Sequence, residues 1–549
     1  MALNRHSDSR AIHRIGRECR TLAVLGLLLV CGCHGDNKNA AARTSANSAE
    51  ILRRGLGGEP ASLDPAEATD TFSFEVLRDV YEGLTTESAE GSVIPGVAFS
   101  WTVNSSGTEY KFKLRPDARW SNGVRVRAMD FVRAWRRVVD PKLGSPVADT
   151  LRPILGAPEI ISGRLPPSSL GASAEGDNQL IVRLSKPAPY FLQLLTHTAM
   201  FPVYSDASAR LHSPQNWVSN GPFVLAKWTP GEKLELTKNH HYWDRAHVHI
   251  SKVEYIFDPD ESAELRQYLA GELDITESVP SGALESLRKA NSSELRVWPF
   301  LGVAYYALNL QDLKFRNNAL LRKSLAMAID RKLLVSHVLD FGQQPAYGFV
   351  PAGTWNYTPQ SWNWKPMADS DRLTEARKLY REAGYSSRQP LHLKLLINSN
   401  PTIRQTTIAI AAMWRSELGI KTEIIEQEYR VFLQTRRNTS LWDVARLGWT
   451  ADYNDAADFL DIFRRNSPNN DSRYSNPQFD KLLDRAAEKA DPLLRRKLLQ
   501  EAERLMLSDY PIIPVYFYVS KRLIKPYVTG AKPNPLDRLD SKYLEIETH

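Results

Sequence analysis

All three cysteines of this 549-residue chain, Cys19, Cys31 and Cys33, fall within its first 33 positions. Whatever folds beyond them is held by burial and hydrogen bonding, without a disulfide. A chain this long exceeds what one hydrophobic core supports, so two or three domains are expected. The supply of apolar and aromatic residues, 42% hydrophobic with 13 Trp, 21 Tyr and 18 Phe, argues against disorder and is ample for lining a cleft.

The first residues read as a targeting segment. Arg5, Arg10, Arg14, Arg17 and Arg20 precede the apolar stretch Leu22 to Val30, which is far shorter than the roughly 20 residues a spanning helix needs. Val30-Cys31-Gly32-Cys33 looks like a bacterial lipobox, with Gly32 before the cysteine to be cut and acylated. Residues 1–32 are therefore predicted to be a signal peptide, Cys33 the lipidation site, and 33–50, rich in Asn, Ala, Ser and Thr, a flexible tether. The alternatives are a secretory signal cut near Ala40 to Ala42 and a cytosolic chain with a chance apolar start. A body free of thiols suits an oxidising compartment outside the cytoplasm, periplasmic or at the cell surface.

The formal charge of +7 includes five Arg against one Asp and one Glu before Cys33, a surplus of three, leaving +4 on the remainder. Basic and acidic residues are interspersed, without the clustered Lys/Arg face that a phosphate backbone requires, so no nucleic-acid partner is expected.

The alternation Tyr110-Lys111-Phe112-Lys113-Leu114 and the shorter Leu234-Glu235-Leu236 predict half-buried strands, beside turn signals at Ser121-Asn122-Gly123 and Thr229-Pro230-Gly231. Apolar residues three or four apart predict helices over 318–339, 371–383, 406–418 and 480–507, with strands at 391–397 and 422–425 between them. Alternating helix and strand points to an α/β fold with mixed sheets.

Motifs then accumulate in a fixed order: Gly58-Glu59-Pro60-Ala61-Ser62-Leu63-Asp64-Pro65, Tyr81-Glu82-Gly83-Leu84, Ile94-Pro95-Gly96-Val97-Ala98, Trp120-Ser121-Asn122-Gly123 and Asn220-Gly221-Pro222-Phe223. Gly271-Glu272-Leu273-Asp274 follows, then Asp443-Val444-Ala445-Arg446-Leu447-Gly448-Trp449-Thr450-Ala451-Asp452-Tyr453-Asn454. Together they resemble the family 5 extracellular solute-binding proteins of ABC importers, in the peptide, dipeptide and murein-peptide branch.

The resemblance implies a three-lobed periplasmic-binding-protein-like fold of the class II type with an extra lobe, two lobes closing on the ligand through a hinge. Lobe I would comprise 51–81, 202–301 and 518–549, lobe II 82–201, and lobe III 302–517. The implied function is capture of short peptides for delivery to an ABC permease and ATPase complex by a monomer that touches the membrane only through its lipid. Cell-wall peptide recycling, sensing and chaperone-like binding are alternative uses of the same fold.

A peptide of unspecified sequence offers only its amides and its two charged termini as constant features, so a promiscuous receptor must grip those. The resemblance assigns Asp452 to the amine and Arg446 and Arg436 to the carboxylate, whose planar forks suit it. Arg437 adjoins Arg436, and a loop one residue longer here lets that match slip by one. Gly448, Trp449, Thr450 and Tyr453 would flank the ligand backbone, and Tyr429, Tyr305, Tyr306, Phe517, Thr69 and Thr71 would wall its pockets. The bland alternatives are a turn or helix cap at Asp452 to Asn454, surface ion pairs for the arginines, and core packing for the aromatics. Relatives carry a lysine and a histidine where this chain has Ala326 and Ile403, and an acidic residue at Thr69, so length and charge preference should differ. Gly302 and Thr450 stand where some relatives pair two cysteines.

Neither enzyme nor metal signatures compete. The chain has no G-x-S-x-G, Walker A or H-E-x-x-H motif. His240 and His241 are adjacent rather than spaced for zinc, and Asp452, Asn454, Asp455 and Asp458 lack the glycine of a calcium loop. No catalysis, cofactor or metal is expected.

Overall fold

The computed structural model describes residues 51–204, 217–290, 293–386, 388–489 and 491–547. The predicted signal peptide, the tether 33–50 and Cys33 lie outside the described residues.

Three sheets organise the protein. The first has the order β1-β10-β9-β8 and is built from β1 (Ile51–Leu56), β8 (Phe223–Thr229), β9 (Lys233–Lys238) and β10 (Lys252–Phe257). β1 joins it parallel to β10. The second, wholly antiparallel, has the order β4-β5-β7-β6, from β4 (Ala98–Val103), β5 (Glu109–Leu114), β6 (Ala172–Glu175) and β7 (Gln179–Arg183). The third is mixed, with the order β12-β16-β11-β15-β13-β14. It comprises β11 (Leu295–Leu308), β12 (Gln344–Pro345), β13 (His392–Asn398), β14 (Lys421–Gln427), β15 (Val444–Thr450) and β16 (Ile512–Leu523). Small pairs β2 (Thr85–Glu87) with β3 (Val93–Pro95), and β17 (Val528–Thr529) with β18 (Glu545–Ile546), complete the strands. The expected α/β class with mixed sheets is what forms.

Local chemistry explains most elements. In β5, Tyr110, Phe112 and Leu114 are buried while Lys111 and Lys113 face solvent, as their alternation predicts. The periodicity over 480–507 does not give one helix but two, Pro477–Ala487 and Pro492–Asp509. Pro492 has no N–H to continue a helix, and Asp491 caps the new one by accepting from Leu493 N (2.8 Å) and Leu494 N (3.3 Å). Likewise 318–339 divides after Ala319–Met327, because Asp330 accepts from Leu333 N (2.9 Å) and restarts the chain as a short turn, Arg331–Leu333, and a wide π turn, Leu334–Leu339.

Two buried cores result, one around the third sheet and one shared by the first two. β11 and β16 pair antiparallel from Leu295↔Leu523 to Ala307↔Ile512, with register breaks between Pro299 and Val303 and between Ala304 and Tyr305. The sequence-derived lobe boundaries 301/302 and 517/518 fall inside these continuous strands. At their far end Ile275 bridges Arg54 of β1 and Ile524, and Thr276 N donates to Leu523 O (3.0 Å), joining the first sheet to the third.

The motif Asn220-Gly221-Pro222-Phe223 has a packing cause. The Asn220 amide donates to Glu82 O (2.8 Å), and a Cβ on Gly221 would lie 2.6 Å from the backbone of Val80 and Tyr81. Replacing Gly221 by Ala forces that backbone apart and should destabilise the protein by about 1–3 kcal/mol, read as a lower urea midpoint.

Candidate ligand-binding site

β15 supplies the floor of the site. It pairs with β11 over its whole length, Gly302↔Thr450 to Leu308↔Val444, but with β13 only at Val444 and Ala445. The outer edge from Arg446 to Thr450 therefore has no strand partner among the described residues. Just beyond it, Ala451 N donates to Leu301 O (2.9 Å) and Asp452 N to Asp458 Oδ2 (3.3 Å), which turns the chain out of the sheet.

The cap of the following helix, Ala456–Leu460, is Asp455, which accepts from Ala457 N (2.8 Å). Asp452 is not that cap. Its carboxylate makes no hydrogen bond or ion pair among the described residues, although the side chain remains open to the cleft. Desolvation by the surrounding walls raises its pKa above the ordinary aspartate value, partly opposed by Arg538. Asp458 behind it accepts from Trp449 Nε1 (2.9 Å), fixing the indole, and burial together with the nearby Asp452 pushes its pKa well up.

Asp455 is anchored in turn by Arg495. The two buried side chains make a bidentate pair at 2.7 and 2.8 Å, tying the Asp452 turn to the helix Pro492–Asp509.

The facing wall comes from the other core. Phe74 on the helix Thr71–Val80, the segment Pro146–Pro153, and Tyr190 to His197 stand across from β15. Two cavities, of about 550 and 270 Å³, share Phe74, His197 and Asp452 in their linings. The Tyr190 and Tyr453 rings stack across the cleft, 4.8 Å apart at 18°. His197 Nδ1 accepts from Ala199 N (3.1 Å), which leaves the proton of the neutral ring on Nε2. Burial, then Arg538 and Arg78, push the His197 pKa down to about 3, so it stays neutral.

The residues selected from sequence separate into two groups. Trp449, Thr69, Asp452 and Tyr453 line the larger cavity, and Thr71, Thr450 and Asp452 the smaller. Gly448 lies on the unpaired edge, and a side chain there would collide with the Tyr518 hydroxyl. Arg446 lines neither cavity. Its Nη2 donates to Tyr516 Oη (2.9 Å) and Tyr518 Oη (3.0 Å), four residues or roughly 13 Å along the strand from Thr450. Arg436 is held by Asp471 at 3.6 Å.

The four aromatics chosen as walls do not line the two cavities. Tyr305 packs edge-on against Phe349 (5.1 Å), and Tyr306 hydrogen-bonds Thr407 Oγ1 (2.7 Å), both within the core. Phe517 pairs with Val303 and packs against the same core, while Tyr429 is exposed beside Phe432. A period-2 strand sends neighbouring side chains to opposite faces, which a short aromatic run does not reveal. His197, Tyr190 and Phe74 escaped the sequence reading because they meet Asp452 only through tertiary packing.

Removing Asp455 strands a buried guanidinium. Asp455→Ala should cost about 3–5 kcal/mol, and adding Arg495→Met should recover much of that loss, both measured by thermal or urea unfolding.

Residues 92–471 match the family model described as bacterial extracellular solute-binding proteins, family 5 Middle. Among curated proteins, the chain is 36% identical over 510 residues to the periplasmic murein peptide-binding protein MppA of Escherichia coli, covering 92% of this chain and 94% of that protein. It is 37% identical over 508 residues to the periplasmic oligopeptide-binding protein OppA of Salmonella typhimurium, covering 91% and 93%. Among solved structures, the unliganded open form of the MppA murein tripeptide-binding protein superposes with a TM-score of 0.80 at 36% identity, covering 90% of this chain and 97% of that one. The protein is a member of the bacterial extracellular solute-binding protein family 5.

Proposed function

We propose that this protein is an extracytoplasmic receptor that captures short peptides by their backbone and termini and delivers them, chemically unchanged, to an ABC permease and ATPase complex. The observation that carries this reading is the unpaired carboxylate of Asp452 where two cavities meet, at the end of a strand edge without a partner among the described residues. An extended peptide laid along Arg446 to Thr450 would satisfy its amides by strand addition. Its α-ammonium would neutralise Asp452 in a desolvated setting, where a charge-assisted hydrogen bond is strong. Arg446, roughly 13 Å from Thr450 along the strand, would receive the carboxylate at the other end of that peptide. The likeness to relatives named for oligopeptide and murein-peptide binding supports the same ligand class.

No helix among the described residues is long and apolar enough to cross a membrane. Membrane attachment is assigned to acylation of Cys33, with the folded body a monomer outside the cytoplasm. One acyl chain binds a bilayer only marginally, so this reading requires more than one.

Calorimetry with peptides of two to five residues tests the receptor. Binding in the wild type and a loss of about 2–5 kcal/mol in Asp452→Ala are expected; an unchanged affinity would overturn the amine assignment. The ionised carboxylate is the form that pairs with an ammonium, and burial raises its pKa. Affinity should therefore rise as pH rises through that value and fall on acidification, beginning above the usual aspartate range. Amino-acetylated peptides should not show that dependence. Cys33→Ser should move the protein from the membrane to the soluble fraction; persistent membrane association would refute lipid tethering through Cys33.

A further inference from the structure

The smaller cavity, about 270 Å³, has Asp452 on one wall and Glu277 on another. That volume is enough to admit one long side chain. Thr450 lines it while Trp449 lines the larger cavity, so the two faces of β15 open into different spaces. A peptide added to that edge sends successive side chains to alternate faces. One of its first two side chains then enters the smaller cavity.

Among the described residues, each of the four arginines around this space is engaged by a carboxylate, and Arg522 is shared between two. Arg54 is bound to Glu75, Arg522 to Asp537 at 2.7 and 3.3 Å, Arg538 to Glu87 at 2.6 Å, and Arg78 to Asp540 at 3.1 Å. Asp452 has no ion pair among the described residues, and Glu277 has only a share of Arg522. No hydrogen bond from the described residues reaches the Glu277 carboxylate, and its nearest cation is Arg522 at 3.6 Å, already engaged by Asp537. Its backbone is nevertheless fixed. Glu277 N donates to Glu264 Oε1 (2.6 Å), and the preceding Thr276 is bonded to Leu523 through both its N–H (3.0 Å) and its hydroxyl (2.9 Å).

We infer that Glu277 makes this receptor select peptides with a positively charged side chain at the first or second residue. The selection rests on the peptide reading above, with Asp452 holding the α-ammonium. Two carboxylates in surplus match two cationic groups at the amino end of the ligand.

A proton accompanies the selection. Burial, with the neighbouring Glu75, raises the Glu277 pKa to about 8, while Arg522 and Arg54 oppose the rise and Asp537 adds to it. An entering ammonium or guanidinium favours the ionised carboxylate, so binding is expected to draw off whatever proton the carboxyl holds in the empty site.

Titration calorimetry of the full chain with Ala-Ala-Ala, Lys-Ala-Ala, Ala-Lys-Ala, Ala-Ala-Lys and norleucine-Ala-Ala tests this. Lysine at the first or second position should tighten binding at least tenfold over alanine, whereas lysine at the third position and norleucine should not. Binding of the favoured peptide at pH 7 should release a proton, seen as heats that differ between phosphate and Tris buffers. Glu277→Gln should abolish both the preference and the release, with Ala-Ala-Ala binding within about twofold of wild type. Equal affinities for all five peptides, or a preference that survives in Glu277→Gln, overturns the inference. Should the variant fail to fold, the wild type alone still tests the claim, because equal affinities for the five peptides, or a preference for lysine at the third position, overturn it. Loss of all binding in Asp452→Ala with no effect of Glu277→Gln defeats this inference alone; unchanged binding in Asp452→Ala defeats the amine anchor beneath it.

Discussion

β11 and β16 run side by side from one hydrophobic core toward the other, and their ladder fixes where the floor of the cleft stands. β15 takes its register from β11, and the Asp452 turn takes its position from Ala451 N on Leu301 O. Glu277 takes its own from Thr276 on Leu523 at the far end of β16. A shared pair of strands is a stiff reference in the hydrogen-bonding direction and a compliant one in bending. The β11–β16 ladder breaks register between Pro299 and Val303. Bulges of this kind bend and twist a strand without ending it.

Much of this architecture could be read locally. The alternation in Tyr110 to Leu114 fixed a strand face, and the helical period predicted over 371–383 and 406–418 corresponds to Asp369–Glu382 and Pro401–Leu418. Where the period ran through Asp330 or Pro492, side-chain capping and the missing proline N–H overrode it. The motif around Asp452 led to the floor of the cleft because floor and motif are one continuous segment. The facing wall was illegible for the converse reason. Phe74, Tyr190 and His197 come from segments with no local signal of a shared destination, and what makes them a wall is the packing of one core against another.

The electrostatics of the cleft follow from the same separation. Two arginines near Asp452 serve the protein itself, Arg495 holding Asp455 and Arg538 holding Glu87, while two tyrosine hydroxyls steady Arg446. Burying these pairs costs desolvation that the pairing largely offsets, so they set geometry more than they add stability. Asp452, without an ion pair among the described residues, and Glu277, which shares Arg522, are then the carboxylates a ligand could answer, and burial raises the pKa of both.

The unpaired edge of β15 also bears on how the molecule behaves among its own copies. Exposed strand edges are templates for aggregation, because any extended chain can continue the sheet. Here the open stretch is only Arg446 to Thr450, it carries a charged side chain, and Tyr518 lies against Gly448. It also lies at the bottom of a cleft walled by Phe74, Tyr190 and His197. A slender segment can reach it and the edge of another folded sheet cannot. Depth and shortness together confine that open backbone to partners as slender as a single extended segment.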